Sequence, residues 1–380
     1  MGQLAGVKVL EFEAIGPAPF AGMLLADIGA DVLVLERPEG TDLGLKRERR
    51  HDVMMRGKRS LTLDLKKDSS REIALSLAQR ADVLIEGLRP GVMERLGLGP
   101  DIALARNPRL VYGRMTGWGQ DGPLAPRAGH DINYIALAGV LHAFGRKGEA
   151  PVPPLTLVGD FGGGGMLLGF GIACALLEAK RSGHGQVVDA AMIDGTALLA
   201  AMFSGLLAAG SWSETRGDNI LDTGAPWYDV FETKDGKYVS IGAIEGRFYE
   251  ELLERLQLKD LPDQYDRARW PEMKEAFSKV FRTRSREEWC RVFDGSDACF
   301  APVLSWSEAR DHAQSVSRKS YLSVGNVPQP APAPRFSRTP GAVRREPPER
   351  GEGGLQALRD WGFAAQDIDG LRAQGLGTRE

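Results

Sequence analysis

The chain is poor in cysteine: Cys174, Cys290 and Cys299 are the only three in 380 residues, and none stands in a C-x-x-C spacing. An odd, scattered set excludes a disulfide framework and a thiolate metal centre, and it fits a reducing compartment. An excess of one charge is missing too. The 48 Lys and Arg nearly balance 51 Asp and Glu, for a formal net charge of −3, so nothing argues for a nucleic-acid or anionic-membrane partner. The apolar stretches around Met166–Leu177 and Thr196–Ala209 carry glycine and fall short of the roughly 20 residues that span a bilayer. The opening MGQLAGVKVLEFE lacks the basic and apolar regions of a secretory leader. Gly6 occupies the Ser or Thr position of a myristoylation signal, and the terminal GTRE is no peroxisomal tripeptide. A cytoplasmic protein without a membrane span is expected. Catalytic signatures are equally sparse. There is no G-x-S-x-G, and EAIGPAPFAG has prolines where a dinucleotide turn needs glycines. His51, His142, His184 and His312 are scattered without partners, so no metal site is expected.

What is present is a regular alternation. VKVLEF reads as a buried strand, PAPFAGMLLADIGA as a helix opened by proline, and DVLVLERP as a second strand. KRSLTLDL, DVLIEGLRPG and RLVYGRMTGWG read as further strands, and KKDSSREIALSLAQRA as an amphipathic helix. Strands alternating with helices imply an α/β fold with a parallel sheet, whose ligands sit beyond the carboxyl ends of the strands. Those ends carry Glu11–Gly16, Glu36–Pro38, Glu86–Pro90 and Arg114–Gly119. The turn-rich run GSWSETRGDNILDTGAPWYDV places a domain boundary after a large domain of about 1–215. Residues 225–317, with a hairpin at VFETKDGKYVSIGAI and three helices, form a smaller α+β domain. The proline- and arginine-rich residues 318–353 read as an extended linker, and 354–380 as two short closing helices.

The stretch from Gly129 to Gly165 holds the chemistry. It carries His130 beside Asp131, then Asp160 immediately before FGGGG. An imidazole and a carboxylate on opposite sides of a cleft suit proton abstraction and return at one carbon. Glu245, in SIGAIEGRF, is a third acid–base candidate. On residue types alone a second role stays open for each of them. Asp131 and Asp160 suit helix N-caps, His130 a capped helix start, Glu245 a first-turn acid, and the glycines either close helix packing or a phosphate cradle. Arg37, Lys58, Arg59 and Arg89 cluster at strand ends where cations suit a polyphosphate, although each alone would also make an ordinary solvated charge.

With these segments in view, the chain resembles the α-methylacyl-CoA racemases, within the class III CoA-transferase (CaiB/BaiF) superfamily. LAGVKVLEFEAIGPAPFAGMLLADIGADVLVLERP, RGKRSLTLDLK, LVYGRMTGWGQDGP, GHDINYIALAGVLHAFG, VGDFGGGGMLLGFG and YDVFETKDGKYVSIGAIEGRFYEELL all carry the resemblance. It implies a Rossmann-like large domain, a smaller α+β domain, a C-terminal segment returning to the large domain, and an interlocked homodimer. It implies an acyl-CoA thioester as substrate and no separate cofactor, coenzyme A being part of that substrate. By family pattern His130 and Asp160 are the paired acid–base groups, Glu245 supports His130, and the Asp131 N–H faces the thioester oxygen. Arg37, Lys58, Arg59 and Arg89 would surround the CoA phosphates and adenine, and Ile15, Met192 and Tyr228 are candidates for the acyl path. A class III CoA-transferase, with Asp160 as a nucleophile forming acyl anhydrides, is the alternative activity. An acyl-CoA-binding protein without catalysis is a further one.

Overall fold

The computed structural model describes residues 2–40 and 45–379. Six strands form one parallel sheet: β1 (Lys8–Phe12), β2 (Asp31–Glu36), β3 (Arg59–Thr62), β4 (Val83–Glu86), β5 (Val111–Thr116) and β6 (Val187–Ala191). Their order is β3-β2-β1-β4-β5-β6, the doubly wound order whose ligand crevice opens between the first and fourth strands. Alternate residues feed two cores, as the pleat requires. Leu10, Leu33, Leu61, Leu84 and Tyr112 pack on one face with the helix Asp68–Ala78. Val9, Val32, Val83, Ile85 and Val111 pack on the other with the helices Pro17–Asp27 and Leu167–Ser182.

The chain divides into two compact units. The first comprises Met1–Ala138, Leu155–Leu199 and Lys319–Glu380, and the second Gly139–Pro154 and Ala200–Arg318. The division differs from a sequential cut near 215. Residues 139–154 belong with the second unit, where Arg146 pairs with Asp229 at 3.0 Å, Lys147 with Asp218 at 2.6 Å, and Arg216 donates to the His142 carbonyl at 2.5 Å. Turn-rich composition marks where a chain bends, and says nothing of which distant charges it meets. Within the second unit β7 (Tyr228–Glu232), β8 (Tyr238–Gly242) and β9 (Phe300–Pro302) form an antiparallel sheet. It packs on the helices Gly246–Leu256, Trp270–Phe281 and Arg286–Val292 through Trp227, Phe231, Ile241, Leu252, Phe277 and Trp289.

The expected linker is more ordered than its composition suggests. It contains the antiparallel pair β10 (Tyr321–Val324) and β11 (Val327–Pro330), and it is tied to the first unit by main-chain bonds, Ala342 N–H to Asp27 at 2.8 Å and Ser60 N–H to Glu352 at 2.9 Å. A two-stranded edge tolerates the prolines of β11. The helices Gly354–Asp360 and Ala365–Ala373 then add Leu358, Trp361 and Ile368 to the core beneath the sheet.

One segment departs from expectation. Leu157–Met166 is a π-helix, and with Leu167–Ser182 it makes a helical run of 26 residues. By length and composition that run could cross a membrane, which the shorter glycine-containing apolar stretch did not suggest. Here Leu168, Ile172, Ala175 and Ala179 are buried against the sheet.

Candidate active site

The crevice is built where the first and fourth strands part. Beyond β1, Gly16 has φ 67°, in the left-handed region that glycine tolerates. A Cβ there would lie 3.0 Å from Asp160 Oδ2, so this glycine also admits the carboxylate. Beyond β4, the buried Glu86 accepts the Leu88 N–H at 2.7 Å and is held by Arg114 at 2.9 Å. Those bonds set the Gly87–Pro90 loop that carries Arg89. Beyond β5, Trp118 meets Tyr134 edge-on, with ring centroids 4.7 Å apart, and the Tyr134 hydroxyl donates to the Gly129 carbonyl. The loop before the helix Asp131–Leu137 is thereby fixed. His130 is the N-cap of that helix, and its own N–H donates to Asn133 Oδ1 at 3.1 Å.

Asp160 sits in the π-helix, an irregularity often found at functional sites. Its N–H donates to Asp131 Oδ1 at 2.7 Å. Gly159 permits that bond, since a Cβ on it would fall 2.4 Å from the same oxygen. Burial and then the negative charge of Asp131 push the Asp160 carboxyl up to about 6, with His130 pulling the other way. Burial, reinforced by the Asp160 charge, lifts Tyr134 to about 12.

Two cavities meet at Asp160. The smaller, about 320 Å³, is lined by His130, Asp160, Arg89, Arg127, Tyr134 and Met192 among others. The larger, about 750 Å³, takes in Asp160, Phe161, Glu13, Lys46, Arg47 and Arg49. Ile15 and Gly16 line both. These volumes suit small-molecule ligands. The larger also receives Arg350 and Arg379 from the C-terminal segment. No cluster of three or more metal-ligating side chains occurs among the described residues.

The structure thus brings together His130, Asp131, Asp160 and Arg89. Glu245 stands exposed in the second unit as the N-cap of Gly246–Leu256, and Tyr228 begins β7 in that unit. Two expected phosphate ligands are corrected. Lys58 is 0% exposed, and its Nζ donates to both oxygens of Glu11, at 2.8 and 2.7 Å, and to the Pro19 carbonyl at 2.9 Å. Three donors with three acceptors leave nothing for a ligand. Arg59 is 3% exposed and pairs with Asp31 and, at 2.5 Å, with Asp360. Both are scaffold cations, because burial forces a charge to find a partner. Arg37 is exposed, and its main chain binds Glu13 and Arg350. Of the cations that line the larger cavity, Lys46, Arg47 and Arg49 come from the dense charge run KRERRH, a signal present in the sequence. Nothing in local sequence pointed to Arg350 or Arg379.

The comparisons with known proteins agree along the chain. Residues 4–353 match the model of CoA-transferase family III. An alpha-methylacyl-CoA racemase of Mus musculus is 46% identical over 370 residues, covering 96% of this chain and 95% of that protein. The Homo sapiens protein of the same name is 43% identical, covering 98% and 97%. A succinyl-CoA:glutarate CoA-transferase of Mus musculus is more distant, at 29% identity over 95% of this chain and 86% of its own. Among solved structures, a CAIB/BAIF family protein from Brucella suis superposes with a TM-score of 0.79 at 26% identity, over 95% of this chain and 99% of that one.

Proposed function

Because the chain belongs to CoA-transferase family III and is most alike in sequence to racemases among the relatives above, we propose that it epimerises the α-carbon of 2-methyl-branched acyl-CoA thioesters. The reaction is a two-base 1,1-proton transfer through an enolate. The observation that carries this is the shared cavity of His130 and Asp160, with Asp160 raised to about 6. A carboxyl group titrating there has both its acid and its base form available near neutral pH, as a reversible donor and acceptor needs.

In this scheme His130 removes the α-proton from one epimer and Asp160 delivers a proton to the opposite face. The reverse direction exchanges their roles. The Asp131 N–H, at the first turn of its helix, has no acceptor within the helix and would meet the thioester oxygen as negative charge develops on it. Coenzyme A enters as part of the substrate, and the scheme calls on no other cofactor. Arg89 in the smaller cavity and Arg47 in the larger would take its phosphates, with Arg37 exposed nearby in sequence at the end of β2. Ile15 and Met192 would line the acyl path.

We further propose an interlocked homodimer in the cytoplasm, serving branched-chain lipid metabolism. Support for a second copy comes from the first unit, where Phe170, Leu177 and Leu198 are more than 60% exposed, an apolar surface of the kind that marks association. Three free cysteines fit a reducing compartment.

The test is incubation of the purified protein with (R)-2-methylacyl-CoA in D₂O without an acceptor acid. Deuterium entry at the α-carbon with drift toward both epimers is expected. No exchange, with CoA transfer once a free carboxylate is added, would replace this reading with the transferase one.

A further inference from the structure

Asp131 has more to do than present its main-chain N–H. Its side chain is buried at the first turn of its helix, the residue being 4% exposed. Oδ1 accepts the Asp160 N–H at 2.7 Å, and the Gly159 N–H also bears on the carboxylate. Oδ2 is buried, with no hydrogen-bond partner among the described residues. A carboxylate oxygen in that condition costs stability, and no cation forms an ion pair with Asp131 among the described residues. The close approach is built in, since Gly159 is the one residue type that leaves room for Oδ1.

We propose that the Asp131 side chain is a positioning residue for proton transfer at Asp160, docking the main chain of that residue while holding an uncompensated negative charge beside its carboxyl group. The proposal rests on the reading of Asp160 as an acid–base group. It explains why the fold keeps an unpaired buried oxygen: the charge that destabilises the fold is the charge that keeps a proton on Asp160 to a higher pH. Other ionisable groups surround the pair. His130 and Tyr134 lie on the same helix, and Arg89 and Arg127 line the smaller cavity. Glu11 and Glu13 line the larger. Glu36, Lys46, Arg47, Arg49, Asp52, Glu349, Arg350 and Arg379 line the larger cavity as well. Asp194 lies on the helix Met192–Leu199, Arg114 and Asp189 on the sheet, Asp27 on Pro17–Asp27, and Glu178, Lys180 and Arg181 on Leu167–Ser182. The charge that raises Asp160 is that of Asp131, and His130 opposes it.

The sign follows directly. With the Asp131 charge removed, Asp160 becomes a stronger acid, and its protonated fraction at neutral pH falls. Asp131→Asn keeps an acceptor of the same shape and removes the charge, whereas Asp131→Ala removes both. α-Deuterium exchange is measured against pH from each pure epimer, together with thermal unfolding. In Asp131→Asn the limb near pH 6 is expected to move down by about one unit. Exchange in the direction that needs Asp160 as acid should fall about tenfold at pH 7, with the melting temperature held or raised. Asp131→Ala should lose more in both directions. An unmoved limb in Asp131→Asn, or an equal loss at every pH with a lowered melting temperature, would overturn the proposal. Should the wild-type protein exchange nothing, the racemase reading fails by itself. Carbon-13 NMR titration of the Asp160 carboxyl, assigned with Asp160→Asn, then still decides: a lower titration point in Asp131→Asn upholds the coupling, and an unchanged one refutes it.

Discussion

Two groups of ionisable side chains lie along the same sheet and meet opposite fates. Around β1, β2 and β3 every buried charge has a partner: Glu11 with Lys58 at 2.7 Å, Glu36 with Arg49 at 2.8 Å, Asp27 with Arg56 at 2.5 Å, and Asp31 with Arg59. Around the glycine-rich π-helix, beyond the paired Glu86 and Arg114 of β4 and β5, the carboxylates of Asp131 and Asp160 have no ion-pair partner among the described residues, and Asp131 Oδ2 has no hydrogen-bond partner among them. The first group consists of charges neutralised by one another, which is how a fold carries buried ions. The second is held at a cost, with Asp160 pushed up to about 6, which is the condition of a group retained for chemistry.

Exchanging the roles of the two groups would break this comparison, and the largest effect should come from the unpaired group. His130→Ala and Asp160→Asn are each expected to lower epimerisation by at least about 10³-fold while leaving the melting temperature near that of the wild type. A loss of folding in place of activity would move them to the scaffold. Lys58→Met should do the reverse. It leaves Glu11 buried and uncompensated, and denaturant unfolding should register a loss of about 3–5 kcal/mol. The double variant Glu11→Leu, Lys58→Met should recover most of it. Arg89→Ala should raise KM for the thioester about tenfold or more, the worth of a hydrogen bond to a charged group, whereas Arg37→Ala should change it less. The smallest effect is a shape. Because Asp160 titrates near 6, exchange in the direction that needs its carboxylate should rise through about pH 6. The direction that needs its acid form should decline through the same range.

The strands of the large unit were legible because each is a short apolar, β-branched run. VKVLEF, DVLVLERP and DVLIEGLRPG contain β1, β2 and β4. The hairpin β7–β8 announced itself by alternation around Lys234-Asp235-Gly236. His130 and Asp160 were legible as a pair through their motif. What stayed hidden depends on distant partners. Lys58 looks like any strand-end cation until Glu11, 47 residues away, is seen against it. Arg350 enters the larger cavity from the C-terminal segment, with Glu13 at 2.5 Å. Gly139–Pro154 joins the second unit through ion pairs that no local pattern encodes. The π-helix was hidden for another reason: four glycines in a row lower the cost of many backbone paths without selecting one.

The central claim, two bases on opposite faces of one carbon, is tested most directly by the origin of the α-hydrogen in the product. Each pure epimer of a 2-methylacyl-CoA would be converted in D₂O to a few per cent, and the inverted product analysed by mass spectrometry. Delivery by a second base predicts an inverted product carrying solvent deuterium from either starting epimer. Inverted product that keeps the substrate's own α-hydrogen would mean that one base carries the proton across, and would contradict the account.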